Sequence, residues 1–465
     1  MQWSNRMKAL LLALPFLVIC GCGQNMIVPP TQLSNASVFS IVTDAPLPSV
    51  VSCQLTITSV TLSTASTTTG NVLAGASPVD FARLNGLHQL VDLSSVPTGT
   101  YTSATLMLDS ATPSVTYIDT TTNPPTIHPL SKVSLSQTTV NVPLTKPFTL
   151  NNGDLVGLRM EFSIAKSLAT DNTGQLTGVI NPTFHMQLLD ATDSNVWIDD
   201  FRGGVVGVTG PNTFVIQGSR GRQWTVTADN NTDFDTGEQI ASFTTNTIVE
   251  VDGQINAVTK SIDATEISVV SNDKFVLGGL FTSIRPSPGA ATAADLYVRS
   301  ELPDINGVML GNITTLNLNG TELYRIANLR LPFTTLLFNN SALTPGQAVT
   351  AGGVLQTSNG TTTLLVHRIV LQKQGQAGTL VPGKTVVIAG NNGSFELTDN
   401  SPAGLLLPSP LTVLSTPETR YINLNGLSDL TGATALPLRV VGFILIDPST
   451  KQPVMVAWSV EQLSS

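Results

Sequence analysis

The sequence predicts an all-β protein: an N-terminal antiparallel β-sandwich followed by three small β-barrel repeats of OB-like type. Three observations carry that prediction. Charged residues make up only 11 % of the 465 residues, less than half of the roughly 25 % usual in soluble domains. The gap is filled by Thr, Ser and Asn, in runs such as TTTG (67–70) and TTTNPP (120–125), residue types that favour strands and turns over helices. Apolar residues recur with period two, and no stretch of the first domain sustains a 3.6-residue period for three helical turns. At about 150 residues per domain, the length allows three or four domains.

In chain order, the N-terminus comes first. Arg6 and Lys8 precede an unbroken apolar run over residues 9–19. Its length suits the apolar segment of a signal peptide and falls short of the about 20 residues of a membrane-spanning helix. The run ends in Ile19-Cys20-Gly21-Cys22-Gly23, which resembles the lipobox of bacterial lipoproteins. That resemblance implies a signal peptide over 1–21, acylation of Cys22 as the new N-terminus, and a lipid-anchored tether over 22–36 that contains Pro29-Pro30. Cys20 is the poorer lipidation site because bulky Ile19 precedes it. An ordinary cleaved secretory signal is the alternative. Gly23, in place of Asp, implies sorting to the outer membrane, so the expected partner at this end is the membrane itself and the expected location is the bacterial cell envelope.

Cleavage before Cys22 removes Arg6 and Lys8 and makes the chain two units more negative than its formal −9. A nucleic acid would be repelled, and no Lys/Arg run in the sequence offsets this. Cys53 becomes the one remaining free thiol, so neither a disulfide framework nor a cysteine metal site is expected.

The first domain is expected over 37–190. Residues 38–46 (VFSIVTDAP) form a strand that ends in a turn, and residues 54–62 (QLTITSVTL) alternate as a half-buried strand. Further strands follow at 104–108, 155–162 and 182–188. Two facing sheets are the natural way to bury such strands. Thr43-Asp44-Ala45-Pro46, Leu90-Val91-Asp92-Leu93 followed by Pro97-x-Gly99-x-Tyr101, and the late Asn181-Pro182 together resemble an uncharacterised domain found at the N-terminus of bacterial envelope lipoproteins. No catalytic residue comes with that resemblance.

Beyond Trp197 the chain repeats itself. Three segments open with glycine and apolar residues at Gly204, Gly279 and Gly378. Each later reaches a strand ending in glycine, at Gly253, Gly353 and Gly442, and each closes on a last strand, at 263–267, 365–369 and 455–460. The repeats are expected over 197–272, 275–373 and 376–465. They are similar to small uncharacterised β-barrel modules that often follow such N-terminal domains. Closure into OB-like barrels would remove exposed sheet edges.

Residues 378–385, GTLVPGKT, match the phosphate-binding loop pattern. A phosphate-binding loop needs a helix that begins at its Lys-Thr pair. Here Val386-Val387-Ile388 follows, a strand signal, and then a Gly/Asn cluster that breaks helices. The repeat register makes the segment a strand and turn of the third barrel, so no nucleotide is expected as partner. Asp447, after an apolar strand, reads as a turn residue. Ser163-x-x-Lys166 matches one element of the penicillin-binding proteins without its companions.

His88, His128, His185 and His367 show no paired ligand spacing. Asp229-Asn230-Asn231-Thr232-Asp233 offers oxygen ligands but lacks the Gly and Glu of an EF-hand loop, and reads as a polar turn. Trp224 and Tyr324 are candidates for stacking on sugars. No catalytic, cofactor or metal residue is assigned. The function expected is non-enzymatic binding, adhesion or scaffolding at the envelope, with an envelope protein or a glycan as partner. The alternative is a carbohydrate-binding or hydrolytic accessory protein, which an aromatic platform or a cleft with paired carboxylates would favour.

Overall fold

The computed structural model describes residues 35–463, apart from 46, 48, 66–67, 74, 120, 123–124, 173, 191–196, 219–220, 222, 235–237, 257–258, 260, 274, 287–288, 304–309, 328–334, 359–360 and 400–405. The expected signal peptide, Cys22 and most of the tether lie outside the described residues. Asn35 and Ala36, assigned to the tether from the sequence, instead begin the first strand, Asn35–Ala45.

Strands dominate, as the composition predicts. In the first domain one sheet runs Phe184–Asp190, Leu155–Ser163, Asn35–Ala45, Gln89–Pro97. A second runs Thr139–Leu150, Gly99–Leu108, Val50–Thr64, Ser114–Asp119, Thr126–Pro129. The two enclose one core, in which Val38 and Val42 of the first sheet meet Leu55, Ile57 and Leu106 of the second. Phe162 sits between Phe81 and Phe184, with ring centroids 4.8 and 5.0 Å away.

The expectation of purely antiparallel sheets needs correction. Asn35–Ala45 pairs in parallel with Leu155–Ser163, from Ser37 opposite Leu155 to Ala45 opposite Ser163. Parallel neighbours need a long crossover, and here much of the intervening chain builds the opposite sheet before returning to the same end. One short helical turn, Ile164–Ser167, follows the second of these strands.

The family-like motifs of this domain turn out to be structural. Asp44 is fully buried and accepts a hydrogen bond from the Ile164 amide (3.4 Å) at the start of that turn. Thr43 donates to the Leu84 carbonyl (3.3 Å). Tyr101, whose ring is buried, donates its hydroxyl to the carbonyl of Pro97, four residues upstream (2.6 Å), the arrangement of a tyrosine corner.

Three further sheets follow, and each closes on itself. In the sheet of residues 198–271, the strands Ile198–Gly210, Thr213–Gln217, Gln223–Thr227, Ser261–Ser271 and Ile248–Asn256 pair in a circuit, and the third runs parallel to the last in sequence. The sheets of residues 276–371 and 374–462 close in the same order, again through a parallel contact, at Asn317–Leu365 and at Thr412–Val454.

The glycines read from the sequence as strand ends lie inside strands that run on to Asn256, Ser358 and Ile446, and each closed sheet carries a register shift there instead. Gly253 lies opposite Ala264, Gly353 opposite Val366, and Gly442 opposite Ala457. A Cβ at any of the three would collide with a carbonyl oxygen of the neighbouring strand, that of Asp263, Leu365 or Val456. The opening glycines align less simply. Gly279 faces Val349 and Gly378 faces Leu438, but the residue facing the matching Val249 is Gly203, not Gly204. Adjacent glycines, and an apolar pair directly after them, allow a one-residue slip when only sequence is read.

The first domain and the closed sheets meet in a round. His88 of the first domain donates its amide to Asp199 (3.2 Å). Arg368 of the second closed sheet reaches Glu238 (3.2 Å) and the Val269 carbonyl of the first. Gln347 of the second donates to the Ile444 carbonyl of the third (3.0 Å). The third returns to the first domain where Gly375 packs against Asn85 so closely that a side chain would collide with the Asn85 carbonyl. Among the described residues no helix is long and apolar enough to cross a membrane.

Candidate functional site

Several of the few charged residues of this chain are buried where the units meet. Lys373, in the short link between the second and third closed sheets, has a side chain only 1 % exposed. Its ammonium pairs with Asp252, and with Asp199 at 3.4 Å and Asp200 at 3.8 Å. Burial disfavours the ammonium, but the surrounding carboxylates outweigh it and hold the Lys373 pKa well above its ordinary value. Burial pushes Asp200 up to about 6, with Asp252 adding to the rise. Asp199 is also buried, yet Lys373 and His88 together draw its pKa down. Asp200 adopts a left-handed backbone (φ 51°), and its amide is held by the Asp252 carboxylate at 2.8 Å.

Beside this cluster, Arg202 links three segments. It donates to Glu250 (2.6 Å), to Ser300 (3.3 Å) and to the Gln372 side-chain carbonyl (3.0 Å). Arg299 reaches the Val51 carbonyl of the first domain (2.5 Å) and lies 4.0 Å from Asp80. Asp80, Arg202, Arg299 and Ser300 wall a cavity of about 210 Å³ between the first domain and the first two closed sheets. Removing Lys373 or Arg202 would leave buried carboxylates unmatched. The cluster therefore acts as a lock on the relative position of the units.

On the far side of Lys373 lies an open groove of about 410 Å³ between the first domain and the third closed sheet. Lys373 Nζ is 5.7 Å from the ring centroid of Trp458, which lines the groove, so lock and groove share a wall. Trp197 lines it too, with the Arg420 guanidinium 5.5 Å from its ring centroid. Arg439 contributes from the strand Pro437–Ile446. It pairs with Glu461 at 3.3 Å, while its Nε is buried without a hydrogen-bond partner. Its aliphatic stem packs so tightly on Gly86 (φ 75°) that a Cβ there would lie 2.8 Å from Arg439 Cδ. Arg159 and Glu161 of the first domain line the same groove and also an adjoining cavity of about 490 Å³, which includes Lys146 and Phe148.

Of the sequence-derived candidates, His185 lines the adjoining cavity and Trp224 the cavity of about 210 Å³, while one reaches the groove itself. His88 lines the groove, its Nδ1 3.5 Å from Asp199. His128 bonds Thr126 (2.8 Å) and His367 bonds Asp273 (2.6 Å), both at exposed positions. Among the described residues no group of three or more His, Cys, Asp or Glu side chains could hold a metal ion. Asp229 takes the Asn231 amide (2.8 Å), and Thr232 donates to the Ala264 carbonyl (2.7 Å). In the third closed sheet Thr419 makes the equivalent bond to the Ala457 carbonyl (2.8 Å), with the Thr416 hydroxyl accepting from the Glu418 amide (3.1 Å) where Asp229 accepts from Asn231, so this loop shape is a fold feature.

GTLVPGKT is a strand, a turn and a strand. Gln374–Leu380 leads into Pro382-Gly383, with Gly383 at φ 72°, and Val386–Ala389 follows. Lys384 is exposed, 3.9 Å from Glu396. Asp447 accepts from the Ser449 amide (2.8 Å) and hydroxyl (2.6 Å) in a turn. Ser163 is buried while Lys166 is exposed, so the two do not converge. Trp224 and Tyr324 are not the exposed aromatics expected from the sequence: each is half-buried against a phenylalanine, Phe201 and Phe338, at 5.6 and 5.7 Å. The aromatic pair that does line a groove, Trp197 and Trp458, went unremarked because the two stand at opposite ends of the closed sheets in sequence.

The comparisons bear on the first domain. Residues 35–177 match the family model described as Domain of unknown function (DUF4382). The chain thus carries a DUF4382 domain. That domain supplies Gly86, His88, Arg159 and Glu161 to the groove. No curated protein matches the chain in sequence. Among solved structures, drosophila Unr CSD456 matches at 10 % identity over 57 % of this chain and 97 % of that chain, with a TM-score of 0.14, too low to bear on the fold.

Proposed function

We propose that this chain is a non-enzymatic, lipid-anchored protein of the bacterial cell envelope, sorted to the outer membrane by the rule of its lipobox, that binds a partner through the groove between its DUF4382 domain and its last closed sheet. The observation that carries this is the groove itself: two tryptophans and three arginines from segments remote in sequence converge beside a buried charge cluster that fixes the units around them. A pre-formed concave site with a few convergent polar groups is the usual form of a binding site. Binding is favoured over hydrolysis because, of the groove carboxylates Asp199, Glu161 and Glu461, two are already held by Lys373 and Arg439, which leaves no pair of uncommitted carboxylates among the described lining residues. A hydrolase needs such groups available as acid and base.

We further read the three closed sheets as diverged copies of one OB-like barrel. The shared strand circuit, the parallel closing pair and the glycine at the same register shift support this. A propeller blade, by contrast, is an open four-stranded sheet; the propeller-like feature here is the round in which closed units are set. The anchor is tested by replacing Cys22 with Ser and labelling cells with palmitate. Label and membrane association are expected to vanish in Cys22→Ser and to persist in Cys20→Ser. Label that survives Cys22→Ser overturns the anchor.

A further inference from the structure

We propose that Lys373 becomes joined to Asp252 by an intramolecular amide bond, formed with loss of water, which turns the lock between the closed sheets into a covalent one. The inference is independent of what the groove binds.

Its basis is the geometry of the buried cluster. The Lys373 ammonium, 1 % exposed at the side chain, is in direct contact with Oδ2 of Asp252, a residue 121 positions earlier in the chain. Oδ1 of the same carboxyl accepts from the Asp200 amide (2.8 Å). That bond fixes the orientation of the group and polarises its C=O, as a backbone donor does in an oxyanion hole. The Asp200 carboxyl lies 3.8 Å from the lysine nitrogen, its side chain 2 % exposed, and neither of its oxygens has a hydrogen-bond partner. A buried carboxyl without hydrogen bonds costs far more as a carboxylate than as an acid. Burial accordingly raises Asp200 to about 6, although Lys373, Arg202 and Arg83 oppose the rise. A nucleophile, an electrophile and a proton carrier thus meet where water is excluded, and an ion pair alone does not need the third.

The reaction balances without any further reagent. The ammonium passes one proton to the Asp200 carboxylate, and the free amine attacks Asp252 Cγ. As the C–N bond forms, the nitrogen gives up a second proton. Oδ2 takes that proton and the one held by Asp200, breaks from Cγ and departs as water, while Oδ1 remains as the amide carbonyl. A void of about 20 Å³ bordered by Asp200, Gln372 and Lys373 has room for one water. Asp252 is the electrophile of choice because burial raises its pKa despite Lys373. Asp199 is buried too, but Lys373 and His88 hold it ionised, the less electrophilic form. Burial disfavours the Lys373 ammonium while the carboxylates hold it, so the free amine is a minor form. A bond made once per molecule tolerates that, since groups held in contact react at an effective concentration of about 10⁵–10⁸ M. The amide also removes two charges from a site where both are costly to bury.

The test is a tryptic peptide map, by mass spectrometry, of the full chain purified in detergent and then denatured. A branched peptide is expected, in which the segment holding Asp252 is joined to the one holding Lys373. It should be lighter by one water than the two apart and uncut after Lys373. In Asp252→Ala the branch should vanish and cleavage after Lys373 return. In Asp200→Asn, shown by circular dichroism to be folded, the bond should form at least about a hundredfold more slowly in freshly synthesised protein, the loss of acid–base assistance. Two separate peptides from the wild type, with cleavage after Lys373, would overturn the proposal whatever the variants do. A branch to Asp199 or Asp200 would overturn the choice of Asp252, and an unchanged rate in Asp200→Asn would overturn its role as proton carrier.

Discussion

Replacing Lys373 with Met keeps most of the apolar stem beside Trp458 and removes the ammonium set among Asp199, Asp200 and Asp252. Breaking a buried ion pair by removing one partner costs about 3–5 kcal/mol, because the other charge is left unpaired. With three carboxylates facing one fully buried ammonium, the upper part of that range is expected. The loss should also depend on pH in a defined direction. Asp200 in the wild type is already pushed up to about 6 by burial. A carboxyl raised on folding contributes stability that is present below its unfolded value and is lost as pH rises through the folded one.

Without Lys373, Asp199 loses the cation that draws it down and joins Asp200 in this behaviour. The Lys373→Met deficit should therefore be largest near pH 8 and shrink towards pH 4, where the carboxyls are protonated. Urea unfolding followed by tryptophan fluorescence reads both quantities. Asp252→Asn placed in the Lys373→Met background should recover part of the loss, which keeps the test informative if the single variant is too unstable to purify. A deficit under about 1 kcal/mol at pH 8, or one equal at pH 8 and pH 5, would refute the account of the cluster as a lock.

Cys53 is fully buried, and burial, with Asp44 and Asp80 nearby, raises its thiol pKa well above the ordinary value. It should be inert to a thiol reagent such as DTNB in the native mature protein and react fully in guanidinium, and the protein should run alike with and without reductant; native reactivity contradicts its placement. Gly383 needs a left-handed backbone (φ 72°) in open space, so Gly383→Val should destabilise by about 1 kcal/mol or more through backbone strain alone. Lys384→Ala, which removes only an exposed pair with Glu396, should stay within about 0.5 kcal/mol. Equal effects at the two positions, measured by thermal unfolding, would contradict the turn.

The local features of the fold were legible. Alternation over 54–62 marked part of the strand Val50–Thr64, because alternation is decided by neighbours in sequence. The glycines at 253, 353 and 442 were legible as a recurring feature but read as strand ends, because the register shift at each depends on a carbonyl of the neighbouring strand. What depends on remote pairing was not. The parallel contact of Asn35–Ala45 with Leu155–Ser163 leaves no trace in either strand's pattern, since a strand's alternation reads alike whether its neighbour runs parallel or antiparallel. The lock joins Asp199, Asp252 and Lys373 from three stretches of chain, and the groove joins Trp197 to Trp458. A faint signal existed in the Asp199-Asp200 doublet and in Lys373, charges set among apolar strands of a chain that has few of them. Their convergence follows only from the round in which the units close.

Hydrogen exchange of the full chain, with and without a solubilised envelope fraction from its host, tests most directly whether this locked groove is where the protein works. Added protection is expected at the groove segments Gly86–His88, Arg420–Ile422 and Trp458–Gln462, with the link at Lys373 slow to exchange in both conditions. Protection confined to another face, or rapid exchange at Lys373 in the free protein, would contradict a rigid groove as the binding surface.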